Sequence, residues 1–138
     1  RFGFHQLLRN KSVDIIQPDI CACGGLTEAK RIASLASTYG VDVVPHTWGS
    51  SIGLHVALHF ISNLESVPGR MFSPDFLLEF DQTENALREQ LTFPILEMKN
   101  GKIKVPDVPG LGLEVNQDAL HKFTSPTNGV FDIKELLK

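Results

Sequence analysis

The sequence predicts an α/β fold with a parallel sheet, and two kinds of pattern support this prediction. Runs of β-branched and apolar residues, typical of strands buried on both faces, occur at "VDIIQPD" (13–19), "VDVVPH" (41–46) and "FLLEF" (76–80). Segments with helical spacing follow these runs, and about 30 residues separate one run from the next, which is the length of one strand–helix unit. This alternation favours a parallel sheet with crossover helices.

The helices are predicted in order along the chain. Gly25 can begin the first helix, and Gly40 can end it in the left-handed conformation. The apolar stripe of this helix is formed by Leu26, Ala29, Ile32, Ala33 and Ala36. A second helix is predicted from about Ser51 to Leu64. Asp81 and Glu84 have the spacing of a capping box, which predicts the start of a third helix.

The pattern of the chain changes after residue 92. "KNGK" is a hairpin-turn signal between "ILEM" and "IKV", and a run of prolines and glycines follows it. We therefore distinguish three parts. Residues 1–92 carry the strand–helix pattern, residues 93–123 form a hairpin and an irregular segment, and residues 124–138 form a loop followed by a short helix.

The composition excludes several classes of protein. The 138 residues are 42% hydrophobic and 21% charged, with a formal net charge of -3, as in an ordinary globular domain. Mild acidity gives no reason to expect a nucleic acid or an anionic membrane as partner. No apolar run approaches the ~20 residues that span a bilayer. Cys21 and Cys23 are too close in sequence for an easy intrachain disulfide, which favours a reducing, cytoplasmic location.

Three ionisable residues are predicted to meet at one edge of the sheet, because the carboxyl ends of parallel strands converge there. His46 is placed for general-base catalysis, since an unperturbed imidazole has a pKa of ~6.5. Asp19 can accept a hydrogen bond from one imidazole nitrogen. The apolar neighbours of Glu79 can keep its carboxyl protonated and able to donate. The alternatives are a histidine hydrogen-bonded in a loop, a capping aspartate and a solvated glutamate.

Other candidates lie close to His46 or on the second helix. Thr47 and Trp48 follow His46 directly and are candidate substrate-binding residues, although Trp48 can also simply pack a loop. His55 and His59 have the i, i+4 spacing of a helical metal pair. "HVALH" lacks the glutamate of the zincin pattern, and histidines packed against a sheet are common, so no metal ligand is assigned to this chain.

Three segments together resemble one protein family. They are "DIIQPDICACGGLTEAKRIASLA", "VDVVPHTWGSSIGLHVALH" and "LLEFDQTENALREQL". This combination resembles the C-terminal part of the mandelate racemase and muconate lactonizing enzyme family of the enolase superfamily, over residues 1 to about 123. "PHTWGS" and "EFDQTEN" look most like the acid-sugar dehydratases and aldarolactone cycloisomerases of that family.

The resemblance implies a fold and an activity. Family members are (β/α)8 TIM-type barrels with a separate α+β capping domain, and they use Mg²⁺ to remove a proton α to a carboxylate. Residues 1–92 would then supply strands six to eight, the last three βα units, and residues 93–123 the C-terminal segment of the capping domain. A homo-oligomer acting on a small-molecule acid sugar is expected.

The resemblance also implies roles for the three edge residues. His46 would be the general base and Asp19 its hydrogen-bonded partner, and Glu79 would hydrogen-bond the substrate carboxylate. A complete barrel needs about 250 residues and eight strands. The metal ligands of the family lie on strands three to five and are expected upstream of Arg1, so no cofactor is expected for this chain alone.

We therefore expect the chain to be the C-terminal portion of a longer lyase or isomerase, inactive by itself. The alternative is a non-catalytic α/β module that binds a partner or assembles as an oligomer. A small-molecule binder of the doubly wound type is less favoured, because no Gly-rich phosphate loop follows a predicted strand.

Overall fold

The computed structural model describes residues 1–65 and 76–124, and the helices and strands below are those of these two ranges. The helices are α1 (Phe2–Arg9), α2 (Gly25–Thr38), α3 (Ser51–Ile61), α4 (Ala86–Gln90) and α5 (Gln117–Phe123). The strands are β1 (Ile15–Ile16), β2 (Asp42–Val43), β3 (Thr92–Phe93), β4 (Met98–Lys99), β5 (Lys102–Ile103) and β6 (Glu114–Val115). No helix in these ranges is long and apolar enough to cross a membrane.

Strands β1 and β2 form the predicted parallel pair, with α2 as the crossover helix. Ile15 pairs with Asp42 and Ile16 with Val43. The pairing continues past both prolines to a parallel bridge between Asp19 and His46. A proline at the end of a strand is tolerated because its missing N–H breaks no interior ladder bond. The strand–helix–strand prediction for residues 13–46 is confirmed.

Helix α2 begins and ends at glycines, as predicted. Gly24 and Gly25 have φ of 110° and 82°, and Gly40, just after the helix, has φ of 71°. These values lie in the left-handed region that glycine adopts without a steric penalty. On the predicted stripe, Ala29, Ile32 and Ala36 are fully buried and Ala33 is partly buried, whereas Leu26 is 43% exposed. The stripe is therefore correct except at its first residue.

The buried residues form two clusters along the buried face of α2. In one cluster, Ala29 packs with Ile20 and with apolar residues of α3. In the other, Ile32 and Ala36 pack with Ile16 of β1 and Leu8 of α1. Helix α1 was not predicted from the sequence, and Leu8 is the residue that joins it to the core.

The prediction of a third buried strand at residues 76–80 is wrong in this structure. The segment has no regular secondary structure, and Phe76 and Leu77 are 47% and 59% exposed. A strand forms only where its backbone groups find a ladder partner. Here the carbonyl of Glu79 accepts a hydrogen bond from the hydroxyl of Thr47. One carbonyl of this segment is therefore paired with a side chain.

The third helix begins later than predicted. Asp81 does not cap it, because its carboxylate accepts hydrogen bonds from the N–H and hydroxyl of Thr83 and from Arg88. The N-cap of α4 is Asn85, whose side-chain oxygen accepts from the N–H groups of Leu87 and Arg88. Asparagine is among the best N-cap residues, so the capping box was placed four residues too early.

The predicted hairpin is present in the second part of the chain. Strands β4 and β5 pair antiparallel around Asn100 and Gly101, whose φ values of 52° and 72° suit the tight turns that join such strands. Strand β3 pairs antiparallel with β6, and α5 follows. These last elements were not predicted. Residues 125–138, including the predicted C-terminal helix, lie outside the described ranges.

Gly112 is expected to tolerate a side chain far less well than Gly110. Both have φ near +70° and suffer the same backbone strain of roughly 1–2 kcal/mol when replaced by alanine. A Cβ on Gly112 would lie 2.4 Å from the Cβ of Pro106, whereas one on Gly110 would contact nothing within 4 Å. We expect G112A to lower the free energy of unfolding clearly more than G110A, as measured by urea titration. Equal losses in the two variants would contradict the close packing of Pro106 and Gly112.

Candidate active site

The ends of β1 and β2 bring Asp19 and His46 side by side. Their backbones form the last bridge of the parallel pair, and the His46 N–H donates to the Pro18 carbonyl at 3.2 Å. Pro18 and Pro45 are fully buried, so the two polar residues follow directly on buried backbone. The predicted convergence of Asp19 and His46 at this edge follows from the parallel register.

Glu79 reaches the same edge from the second described range. Its Oε2 lies 2.7 Å from Nδ1 of His46 and accepts a hydrogen bond from the Thr47 N–H at 2.9 Å. The Thr47 hydroxyl donates to the Glu79 carbonyl. Glu79 is therefore tied to two consecutive residues at the end of β2 by three contacts, although it belongs to no strand.

The contacts of Glu79 favour the ionised form of its carboxyl. The Thr47 N–H, followed by the hydrogen bond and the charge of His46, lowers the pKa of Glu79 below its ordinary value against an opposing effect of burial. The prediction that apolar neighbours keep this carboxyl protonated is therefore wrong, because a donated backbone N–H outweighs partial burial here. The side chain is also 39% exposed, so water assists its ionisation.

An ionised Glu79 fixes which nitrogen of His46 carries the proton. A carboxylate only accepts hydrogen bonds, so Nδ1 of His46 must be the donor in the 2.7 Å contact. A neutral imidazole carries one N–H, which leaves Nε2 with its lone pair. Nε2 of His46 is therefore the nitrogen able to accept a proton.

Asp19 makes a different contact from the one that the sequence suggests. Its Oδ1 accepts a hydrogen bond from the Cys21 N–H at 2.7 Å, which closes a turn after β1. The nearest approach of Asp19 to His46 in the described hydrogen bonds is through the backbone. A side-chain bond between Asp19 and His46 stays a prediction.

A small cleft opens between the strand ends and the start of α3. It is lined by Asp19, Cys21, His46, Thr47, Trp48 and Gly53, among others. Its volume of about 30 Å³ holds water but not a sugar acid. Trp48 lies at the rim with 71% of its surface exposed, which places its ring where a ligand can reach it.

Arg88 holds the loop that follows Glu79, and the sequence analysis missed it. Its guanidinium contacts the Asp81 carboxylate at 3.0 Å and also donates to the carbonyls of Asp81 and Thr83. Asn85 connects this loop to the residues just before α3, because its side-chain N–H donates to the Gly49 carbonyl at 2.9 Å. The asparagine directly before "ALREQ" was the signal that would have located this cap.

The described residues do not fit a metal centre. Residues 1–65 and 76–124 contain no group of three or more His, Cys, Asp or Glu side chains placed to hold an ion. His55 and His59 do not act as a pair, since Nδ1 of His55 bonds the Ser51 carbonyl and Nε2 of His59 bonds the Leu111 carbonyl. Burial raises the pKa of the Cys21 thiol, which disfavours the thiolate that metals prefer.

The Glu79 contacts predict a loss of stability in acid. Since the pKa of Glu79 is lower in the folded state, its stabilisation is complete above the ordinary carboxyl pKa and is lost as pH falls through the folded value. We expect Glu79→Gln to reduce the fall in unfolding free energy across this acidic window. Urea titrations at several pH values measure it, with the exposed Glu84→Gln as control. An acid dependence that is identical in E79Q and the unaltered chain would show that Glu79 is not held as described.

Comparison with known proteins gives consistent matches. The family model described as "Enolase C-terminal domain-like" matches residues 1–119. The D-galactarolactone cycloisomerase of Agrobacterium fabrum is 43% identical over 91% of this chain and 33% of its own length. The L-rhamnonate dehydratase of Saccharopolyspora erythraea is 34% identical over 86% of this chain and 28% of its own length. The chain thus spans about a third of the curated relatives that it matches.

Solved structures give the same result. The 3,6-anhydro-D-galactonate cycloisomerase from Zobellia galactanivorans superimposes with a TM-score of 0.77 at 47% identity, over 88% of this chain and 32% of that chain. Structures of the mandelate racemase and enolase-superfamily types are also matched. The predicted resemblance is therefore confirmed by sequence and by fold.

Proposed function

The chain belongs to the enolase C-terminal domain-like family, and on this premise we propose that it carries the base of a site that removes the proton α to a carboxylate. The observation that supports this proposal most strongly is the contact of Glu79 with Nδ1 of His46, which leaves Nε2 free to accept a proton. Sugar-derived acids or their lactones are the proposed substrates, because the matched relatives are named for such compounds.

The proposed step transfers one proton. Nε2 of His46 takes the proton of the α C–H bond, and the electron pair of that bond moves toward the carboxylate to give an enediolate. His46 becomes an imidazolium whose charge is opposed by the ionised carboxylate of Glu79 at 2.7 Å. Dehydration, cycloisomerisation and racemisation all begin with this step, so the proposal covers the three reactions that the resemblance implies.

Glu79 is proposed as the partner of His46 rather than as a donor to the substrate. An ionised carboxylate has no hydrogen to donate and would repel a substrate carboxylate beside it. Its contacts with His46 and Thr47 use the same oxygen, Oε2, at 2.7 and 2.9 Å. Asp19, whose backbone bridges to His46 at the same edge, is proposed as a second residue that sets the position of the base.

Trp48 is proposed to form part of the substrate wall. Its ring is 71% exposed at the rim of the cleft that His46 lines, and the apolar face of a sugar can pack on an indole. The cleft itself is too small for such a substrate, so further walls are needed. We propose that the residues of the longer enzyme, represented by the other two thirds of the relatives, supply them.

Magnesium is implied by the family resemblance, and the described residues do not fit it. The carboxylates at the edge are engaged otherwise, Asp19 with the Cys21 N–H and Glu79 with His46 and Thr47. No cluster of ligands occurs in residues 1–65 and 76–124. We propose Mg²⁺ as a cofactor of the longer enzyme only, and none of the steps above is assigned to it.

A second candidate function is assembly with other copies. Phe2, Leu7 and Ile15 are 75%, 40% and 44% exposed, although they belong to α1 and β1, which carry part of the core. Large exposed apolar side chains favour a protein interface when they form a contiguous patch. Light scattering of the purified chain tests this candidate, because assembly predicts a mass above that of one 15.3 kDa chain and a monomer would contradict it.

Grafting tests the proposed function. The aligned third of the Agrobacterium fabrum cycloisomerase is replaced by this chain, and exchange of the α-proton for deuterium is followed by NMR on galactarolactone and rhamnonate. We expect exchange of at least one of these compounds. A folded graft that binds these compounds and exchanges none of their α-protons would contradict the proposal.

A further inference from the structure

We infer that the Asn100–Gly101 turn of the β4–β5 hairpin is a site of spontaneous deamidation, at a rate set by how often the hairpin opens. "KNGK" predicted this turn, and the structure confirms it. Both residues lie outside the cleft that His46 lines, so the inference is independent of the proposed function. Deamidation replaces a neutral side-chain amide by a carboxylate and therefore changes the charge of the turn.

The reaction joins the main-chain nitrogen of Gly101 to the side chain of Asn100. This nitrogen attacks Cγ of Asn100, the bond from Cγ to Nδ2 breaks, and the amide leaves as ammonia with the proton of the Gly101 N–H. A five-membered succinimide ring remains. Water then opens the ring at one of its two carbonyls. One product is aspartate, and the other is isoaspartate, whose main chain runs through the former side chain.

The groups that react are accessible in the structure. Asn100 and Gly101 are both exposed, and a Cβ on Gly101 would contact nothing within 4 Å. Glycine also has no side chain of its own to hinder the attack. Among the described hydrogen bonds, none takes the N–H of Gly101 or the side chain of Asn100. Neither contacts nor burial therefore protect this pair.

The closed turn itself opposes the reaction. The φ values of Asn100 and Gly101 are 52° and 72°, as in a type I′ turn, in which ψ of the first residue is roughly +30°. At this angle the Asn100 side chain and the Gly101 nitrogen are nearly trans about the bond from Cα to the carbonyl carbon. Closing the succinimide ring requires them to be cis. Asn100 must therefore leave the turn conformation before it can react.

Several features of the hairpin favour its opening. Its strands have two residues each, Met98 is 47% exposed, and an isolated two-stranded hairpin is only marginally stable. Lys99 pairs directly with Lys102, and like charges in opposite positions are destabilising. The contact of Lys99 with Glu97 at 3.1 Å offsets only part of this, because both side chains are largely exposed.

The two products affect the hairpin differently. Aspartate tolerates the left-handed conformation of Asn100, so the turn can close again. Isoaspartate adds one carbon to the main chain between Lys99 and Lys102. The two-residue turn then no longer fits the register that pairs Met98 with Ile103. Each molecule that forms isoaspartate loses the closed hairpin permanently.

The experiment incubates the purified chain and a synthetic peptide of residues 96–105 in the same mildly alkaline buffer. Cleavage after glutamate releases Asn100 in a fragment of residues 98–114, in which liquid chromatography with mass spectrometry quantifies asparagine, aspartate and isoaspartate. We expect both products in the chain, at a rate about tenfold below that of the peptide, because the folded hairpin reacts only from its open fraction.

The other asparagines of the chain are internal controls. Asn128 also precedes a glycine, lies outside the described residues and is released in a separate fragment of residues 115–135, so its products are counted apart. The remaining asparagines precede residues with side chains and are expected to stay unmodified over the same time; they are Asn10, Asn63, Asn85 and Asn116. An Asn100 that stays intact in the chain after the peptide has reacted would overturn the inference. Equal rates in chain and peptide would show that the hairpin does not control the reaction.

Asn100→Asp is the matched control for the effect of isoaspartate, because it carries the new charge without the additional main-chain carbon. NMR contacts between Met98 and Ile103 measure the register of the hairpin. We expect these contacts in N100D and in the unaltered chain, and their loss in the isolated isoaspartate form. Contacts that persist in the isoaspartate form would overturn the permanent opening.

Discussion

Replacing His46 by asparagine is expected to lower α-proton exchange by the grafted enzyme about 10²–10⁴-fold, which is the range of a lost general base. Asparagine keeps a side-chain N–H that can still donate to Glu79, which lies 2.7 Å from Nδ1 in the structure. It has no basic nitrogen to take the place of Nε2. The substitution therefore removes the proton acceptor and preserves the contacts that position it.

Deuterium incorporation at the α-carbon, followed by NMR, measures the effect directly. His5→Asn is the matched control, because His5 is an exposed residue of α1 whose ring lies 6.4 Å from that of Tyr39 and outside the cleft. We expect H5N to exchange at the rate of the unaltered graft. If H46N exchanged as fast as H5N, His46 would not be the base.

Replacing Ile32 by alanine is expected to lower the free energy of unfolding of the chain by about 2–5 kcal/mol. Ile32 is 0% exposed and packs in the cluster that joins α1, β1 and α2. The loss has two parts. Fewer methyl groups are removed from water on folding, and the side chains around the remaining cavity lose van der Waals contacts. Few native proteins exceed stabilities of ~15 kcal/mol, so this is a large fraction of the total.

Leu26→Ala on the same helix is the control for this substitution. Leu26 is 43% exposed, although its position lies on the apolar stripe of the sequence. We expect its replacement to cost less than about 1 kcal/mol, as for most surface positions. Urea titrations of the two variants measure both values. Similar losses would show that Leu26 is buried in solution and that α2 packs differently from the structure.

Local signals in the sequence were sufficient for much of the fold. Gly40 can end a helix whatever surrounds it, and "NG" between apolar runs specifies a hairpin turn. The runs before Pro18 and Pro45 pair in the parallel register that brings Asp19 and His46 together. These features depend on the backbone preferences of a few residues, and those residues can be identified in the sequence.

Features that depend on distant partners were not predictable in the same way. Residues 76–80 have the composition of a strand, but a ladder needs a neighbouring backbone, and the Thr47 hydroxyl takes the Glu79 carbonyl instead. The ionisation of Glu79 likewise depends on the Thr47 N–H, which is 32 positions away. The apolar neighbours of Glu79 in the sequence had suggested a protonated carboxyl, because the sequence does not show which donor reaches that carboxyl.

The tautomer of His46 in the unaltered chain tests the central claim most directly, which is that Glu79 holds this residue as a base with Nε2 free. Ring ¹⁵N signals distinguish a protonated from an unprotonated nitrogen at a pH where the imidazole is neutral. The 2.7 Å contact with Glu79 predicts the proton on Nδ1 and an unprotonated Nε2. A His46 that carries its proton on Nε2 would contradict the claim.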